Sequence, residues 1–291
     1  MNSKALSCYL AAGAGLALAS GLLAQTPQVQ FPAPSPGCTL KQRVGLTDIE
    51  VVYSRPGVKG RAIFGGIVPY GEVWRTGANA STKVSFSTPV KLDGHAVPAG
   101  TYALFTIPGA EEWTIILSKD TKIFGAFGYS EANDLLRFKT KPIAFAQKVE
   151  SFTIDINDIR DESAVMVLLW DQTLVPVRIE VDVNSTVLPA IEAAMASPEK
   201  KSAQFYFQAA SYYFDHDQDL KKALGWLDSG LQGKPQIAFE LLFLKAKILA
   251  KQGDKDGAIA AAKESNELAI KAEGPNNSIV KMNNDLISSL Q

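Results

Sequence analysis

The chain is poor in side chains that do chemistry near neutral pH. Its 291 residues include two histidines and two cysteines. His95 follows an Asp93-Gly94 turn, and His216 lies in the acidic string FDHDQD. No His or Cys pair has metal-ligand spacing, so no zinc site is expected. Asp215, Asp217 and Asp219 alternate like part of a calcium loop, but the following Gly and the distal Glu are missing. They read better as acidic support for a helix starting near Leu220. A Gly-x-Ser-x-Gly elbow, a phosphate loop and a dinucleotide fingerprint are all missing, so no cofactor is expected. Glu72 and Asp93 are acid–base candidates on residue type alone.

One segment stands out. Between Tyr53 and Asn79 the chain gathers Arg55, Lys59, Arg61 and Arg75 against a single carboxylate, Glu72. Tyr53, Tyr70 and Trp74 are interleaved with them, without the period of a helix or a strand. Guanidinium groups beside aromatic rings can stack on sugar rings or fork onto carboxylates and phosphates. Tyr53, Arg55, Lys59, Arg61, Tyr70, Trp74, Arg75 and Asn79 are therefore the candidate ligand-binding residues. The same residues also suit a closing plug, in which Trp74, Ile63 and Phe64 fill the end of a β domain and the arginines tie the loop down. On that reading Arg75 is anchored by a carboxylate or by backbone carbonyls.

The elements that must hold this segment are read from periodicity. DIEVVYS alternates, with Ile49, Val51 and Tyr53 on one face. KVSFSTPVKLDG reads as two short strands about Pro89, and GTYALFTIPGAEEWTIILS as a hairpin. Further β-rich runs reach Val183, and Ala164–Trp170 is apolar enough for a central strand buried on both faces or close to it. Many short strands and no helical period argue for an antiparallel β-sandwich over residues 38–184. After Pro189 the period becomes helical: Ala203, Tyr206, Phe207, Ala210 and Phe214 are three or four apart. Ala223 and Ala258 recur about 35 residues apart, each early in the second helix of a pair. Residues 185–291 thus read as a small all-α, tetratricopeptide-like helical domain.

The N-terminus reads as an address. Met1–Lys4 is basic, residues 5–24 are apolar and uncharged, and a Pro-rich stretch covers residues 25–37. This is the layout of a signal peptide over residues 1–24 and a linker after it. The alternative is an uncleaved anchor, since about 20 apolar residues span a bilayer. After cleavage Cys38 is the one remaining thiol, so no internal disulfide forms. With 29 basic and 30 acidic residues, the chain has no overall charge to attract nucleic acid.

The strings VVYSRPGVKGRAIFGGIVPYGEVWRTGANASTKVSFSTPV, PAGTYALFTIPG, EWTIILSKD and GAFGY resemble a bacterial secreted family, domain of unknown function 2911. The likeness covers about residues 38–183, with Ser54–Pro56, Lys59–Arg61, Val68–Gly71, Trp74–Asn79 and Pro98–Tyr102 as its densest strings. It implies an extracytoplasmic bacterial domain and assigns no catalytic residues. The expected function is a non-enzymatic binding or interaction protein outside the cytoplasm. Its expected partner is another envelope protein or peptide on the helices, with a membrane only if the N-terminal segment stays. The alternative is an envelope enzyme acting on a sugar or peptide at residues 53–79.

Overall fold

The computed structural model describes residues 30–291, so the expected signal peptide lies outside the described residues. The chain divides into two compact units between Val181 and Asp182.

The first unit is built from ten strands. They are β1 (Gly37–Val44), β2 (Thr47–Ser54), β3 (Thr82–Phe86), β4 (Val90–Leu92), β5 (His95–Val97) and β6 (Gly100–Ile107). They continue with β7 (Trp113–Ser118), β8 (Asp134–Thr140), β9 (Ile143–Asn157) and β10 (Ser163–Val181). One sheet has the order β1-β2-β3-β6-β7-β8, the other β5-β4-β10-β9, and all pairings are antiparallel. Strand β2 shows why the sheets stack: Thr47, Ile49, Val51 and Tyr53 are buried, while the residues between them are not.

The long run Ala164–Trp170 does form an interior strand, but with one buried face. Ala164, Met166, Leu168 and Trp170 are buried, and the residues between them are only partly covered. The run also continues beyond Trp170 into a single 19-residue strand, β10. Its register against β9 shifts on both sides of Asp171, which sits at φ 51°. These irregularities bend the strand without ending it. The strand buried on both faces along its whole length is β7. Behind it lies a second small core of Ala103, Phe105, Ile116 and Ile123, packed by Val73, Ile107 and Tyr129. The loop carrying Ile123 and Tyr129 covers that outer face, and Tyr129 and Arg137 both hydrogen-bond the Asp134 carboxylate there.

The second unit contains α1 (Asn184–Ala196), α2 (Ala203–Asp215), α3 (Leu220–Leu231), α4 (Ala238–Gln252), α5 (Lys255–Glu273) and α6 (Ser278–Leu290). Helix α1 starts earlier than the period suggests and runs through Pro189. Asp182 accepts the Ser185 amide at 2.9 Å, which supplies its start. Ala223 and Ala258 are both fully buried. Asp219 caps α3 by accepting the Lys221 and Lys222 amides at 3.0 and 3.1 Å, the role its acidic neighbourhood suggested.

Candidate functional site

The segment between β2 and β3 crosses from one sheet to the other, and most of its notable side chains are used in that crossing. Pro56–Val58 runs along β9: the Val58 amide donates to Glu150 O at 2.7 Å, and the Phe152 amide to Pro56 O at 2.9 Å. Arg55 reinforces this seam, with Nε donating to Phe152 O at 2.9 Å and Nη2 to Thr153 Oγ1 at 2.6 Å. Arg61 folds back on its own turn, donating to Val58 O at 3.1 Å and Gly57 O at 2.6 Å. The Lys59 amide is held by Glu150 Oε1 at 2.8 Å, and its Nζ reaches Pro34 O at 3.4 Å. Asn79 Nδ2 donates to Ser35 O and Ser54 Oγ, both at 3.2 Å.

Two of the aromatics are core. Tyr53 is buried, donates to Ile154 O at 3.2 Å and accepts the Ile154 amide at 3.0 Å. Burial pushes its phenol pKa up to about 12. Trp74 pairs with Thr106 as a short extension of the β3 line, with amide-to-carbonyl distances of 2.7 and 2.9 Å. Its ring stacks on Trp170 at 5.8 Å and meets Phe152, Phe64 and Trp113 edge-on at 5.1, 6.0 and 6.3 Å. Its Nε1 donates to Gly77 O at 3.1 Å. The turn beyond needs unusual backbone: Thr76 sits at φ 53° and Asn79 at φ 61°. A β-branched residue pays for positive φ with strain. Thr76 is held there by its Oγ1 bond to Thr106 Oγ1 at 3.1 Å and by the Thr82 hydroxyl, which donates to its carbonyl at 2.5 Å.

Arg75 departs from expectation. Its Nε is buried without a hydrogen-bond partner, so neither a carboxylate nor a carbonyl anchors it there. Burial alone pulls its pKa down. The antiparallel pairing of Trp74 with Thr106 sets Arg75 level with Phe105, on the face opposite the Trp74 ring.

Of the eight candidates, Tyr70 alone lines the pocket at the end of the sandwich. It is 48% exposed, and its ring lies over Gly65, where an added Cβ would stand 2.7 Å from Cε2. The next amide, Gly71, donates to Pro108 O at 2.9 Å and pins the loop beside the β6–β7 turn. The pocket has a volume of about 180 Å³ and is walled by Phe64, Tyr70, Trp113, Ile143, Gln172 and Thr173, with Gly109 and Ala110 at one rim. Its floor is the Phe64 ring, packed 4.8 Å from Trp113. Gln172 and Thr173 come from the irregular stretch of β10 opposite Ala144 and Ile143. The polar string Asp171-Gln172-Thr173 inside an apolar run was the signal for them. None of the lining residues is a carboxylate, imidazole, thiol or cation.

A larger depression of about 560 Å³ lies on the outer face of β1, β2, β3 and β6. Its charges neutralise one another: Lys41 pairs with Glu50 and Arg43 with Asp48, each at 2.7 Å. Nothing there awaits a ligand, so the smaller pocket is the better site despite its size. Among the described residues no group of three or more His, Cys, Asp or Glu is arranged to hold a metal.

Neither the curated proteins nor the solved structures contain a match to this chain. A family model described as "Protein of unknown function (DUF2911)" matches residues 35–179, from just before β1 to near the end of β10. The chain therefore belongs, through its β-sandwich unit, to the DUF2911 family.

Proposed function

We propose that this chain is a non-enzymatic, extracytoplasmic binding protein whose sandwich pocket holds one uncharged ring, such as a single pyranose of a saccharide. The observation that carries the reading is the wall composition. Tyr70 and the partly buried Phe64 offer aromatic surface, backed by the buried Trp113, while Gln172 and Thr173 offer an amide and a hydroxyl. A pyranose has one C–H face for such rings and a rim of hydroxyls for such polar groups. With no acid, base or cation in the wall, the pocket favours binding over hydrolysis and neutral ligands over anions. At about 180 Å³ it encloses one ring, so a longer saccharide would project into solvent. The signal-like pattern of residues 1–24 supports the extracytoplasmic address. The recurrence of buried Ala223 and Ala258 supports tetratricopeptide-like pairs, α2–α3 and α4–α5, offering a surface to an envelope protein or peptide.

The test is titration with methyl glucoside and N-acetylglucosamine, followed by tryptophan fluorescence, since Trp113 lines the pocket. A ligand of this size contributes about 0.3 kcal/mol per heavy atom, giving a Kd of about 1 mM. Tyr70→Ala should abolish the signal and leave the melting temperature unchanged. No saturable change with either sugar contradicts the assignment.

A further inference from the structure

We infer that the sandwich edge bearing Phe124 and Phe127 seats on an anionic lipid surface. The two phenyl groups are 69% and 88% exposed, although the loop around them is firmly built. Ile123 is buried in the outer core, Ser81 Oγ donates to Ile123 O at 3.0 Å, and Ala80 pairs with Phe124. Gly125 and Gly128, at φ 71° and 80°, allow the tight turn that carries Phe127 outward. Exposing two large apolar groups on an ordered turn costs solvation without helping the fold, which marks an interaction site.

The charge around the tip complements an anionic interface. Lys119 and Lys122 flank it and are exposed. The loop has two carboxylates: Asp120 Oδ1 accepts the Lys122 amide at 3.0 Å, and Glu131 is paired with Arg137 at 3.3 Å. Next to Ala80 lies a depression of about 290 Å³ lined by small residues, by Tyr53, by half-exposed Val52 and by Lys83, its one charged lining residue. None of Lys83, Lys119 and Lys122 has an ion pair among the described residues. An aromatic tip with a lysine rim is what an interfacial anchor needs, phenyl groups entering the acyl boundary while ammonium groups meet lipid phosphates. The net charge of −1 leaves the attraction to this local patch.

The chain path chooses a bilayer over a protein partner. Asn79 joins the entering N-terminal arm to this same loop: Nδ2 donates to Ser35 O at 3.2 Å, and its carbonyl accepts the Gly125 amide at 3.1 Å. The uncharged apolar segment 5–24 is separated from this point by residues 25–34, which reach at most about 35 Å even when extended. A chain delivered to a membrane by that segment arrives with the phenyl edge close to the lipid.

The test uses a chain beginning at Gln25, which keeps every described residue, with vesicles of phosphatidylcholine alone or mixed with phosphatidylglycerol. Sedimentation should show binding to the mixed vesicles, and Phe124→Ser with Phe127→Ser should weaken it by about tenfold or more at unchanged melting temperature. In a separate Phe127→Trp chain the emission should shift to the blue when mixed vesicles are added. No binding to mixed vesicles, equal binding by the serine variant, or no blue shift overturns the inference.

Discussion

Replacing Trp74 by alanine separates a core residue from a ligand-contacting one. The ring touches Phe64, Trp113, Phe152 and Trp170, and its exposure is only 8%. Truncating a buried Trp costs about 3–5 kcal/mol in lost burial and residual cavity. The donor to Gly77 O disappears as well, leaving that carbonyl to find another partner in a buried turn. For a unit of this size each kcal/mol lowers the melting temperature by about 2–4 °C, so the expected fall is roughly 6–20 °C. Calorimetry of the full chain reads this directly, provided the β-unit transition is assigned by its loss of near-ultraviolet circular dichroism. The stacked Trp74–Trp170 pair, with rings 15° from parallel, should contribute to that signal and take part of it away in the variant. If Trp74 instead served a ligand from the surface, its removal would shift stability by only about 0.5 kcal/mol. A fall below about 2 °C would refute the placement of this ring in the core.

Two further substitutions probe the same segment. Arg75→Met keeps the aliphatic stem and removes the unpartnered buried Nε, so the melting temperature should hold or rise; a fall of several degrees, measured by calorimetry, would mean that the guanidinium is an anchor. Tyr53 has its folded-state pKa raised from 10.0 to about 12, so it favours the native state below pH 10 and loses that contribution as pH climbs toward 12. Stability should therefore decline across this alkaline window, and Tyr53→Phe should flatten the decline while lowering stability at neutral pH by about 1–3 kcal/mol through two lost hydrogen bonds. An identical alkaline slope in both chains would place the phenol elsewhere.

What sequence reading could and could not reach follows from the range of the interactions involved. The alternation of Ile49, Val51 and Tyr53 and the spacing of Ala203 to Phe214 are local, and both elements were legible. Strand β10 was not legible as one piece, because Asp171-Gln172-Thr173 looks like a break until β9 is seen pairing on both sides of it. The loop residues were harder still. Residue type marks Arg55 and Arg75 equally, yet Arg55 bonds β9 nearly a hundred residues downstream while Arg75 Nε bonds nothing. Trp74 is core because Thr106 pairs with it, a contact with no trace in its own neighbourhood. The pocket shares this property: Tyr70 was flagged from the sequence, but its partners come from the β6–β7 turn and from β9 and β10.

Residues 62–82 form a folded closure of the sandwich that leaves the Tyr70 ring exposed. Native-state hydrogen exchange tests it most directly. The Val68 amide donates to Ile63 O at 3.0 Å and the Trp74 amide to Thr106 O at 2.7 Å, and both residues are buried. These amides should exchange only through global unfolding of the β unit, with the same protection as Phe105 and Ile116 in the central strands. Exchange of Val68 and Trp74 at the rate of an unprotected loop, while Phe105 and Ile116 stay protected, would contradict it.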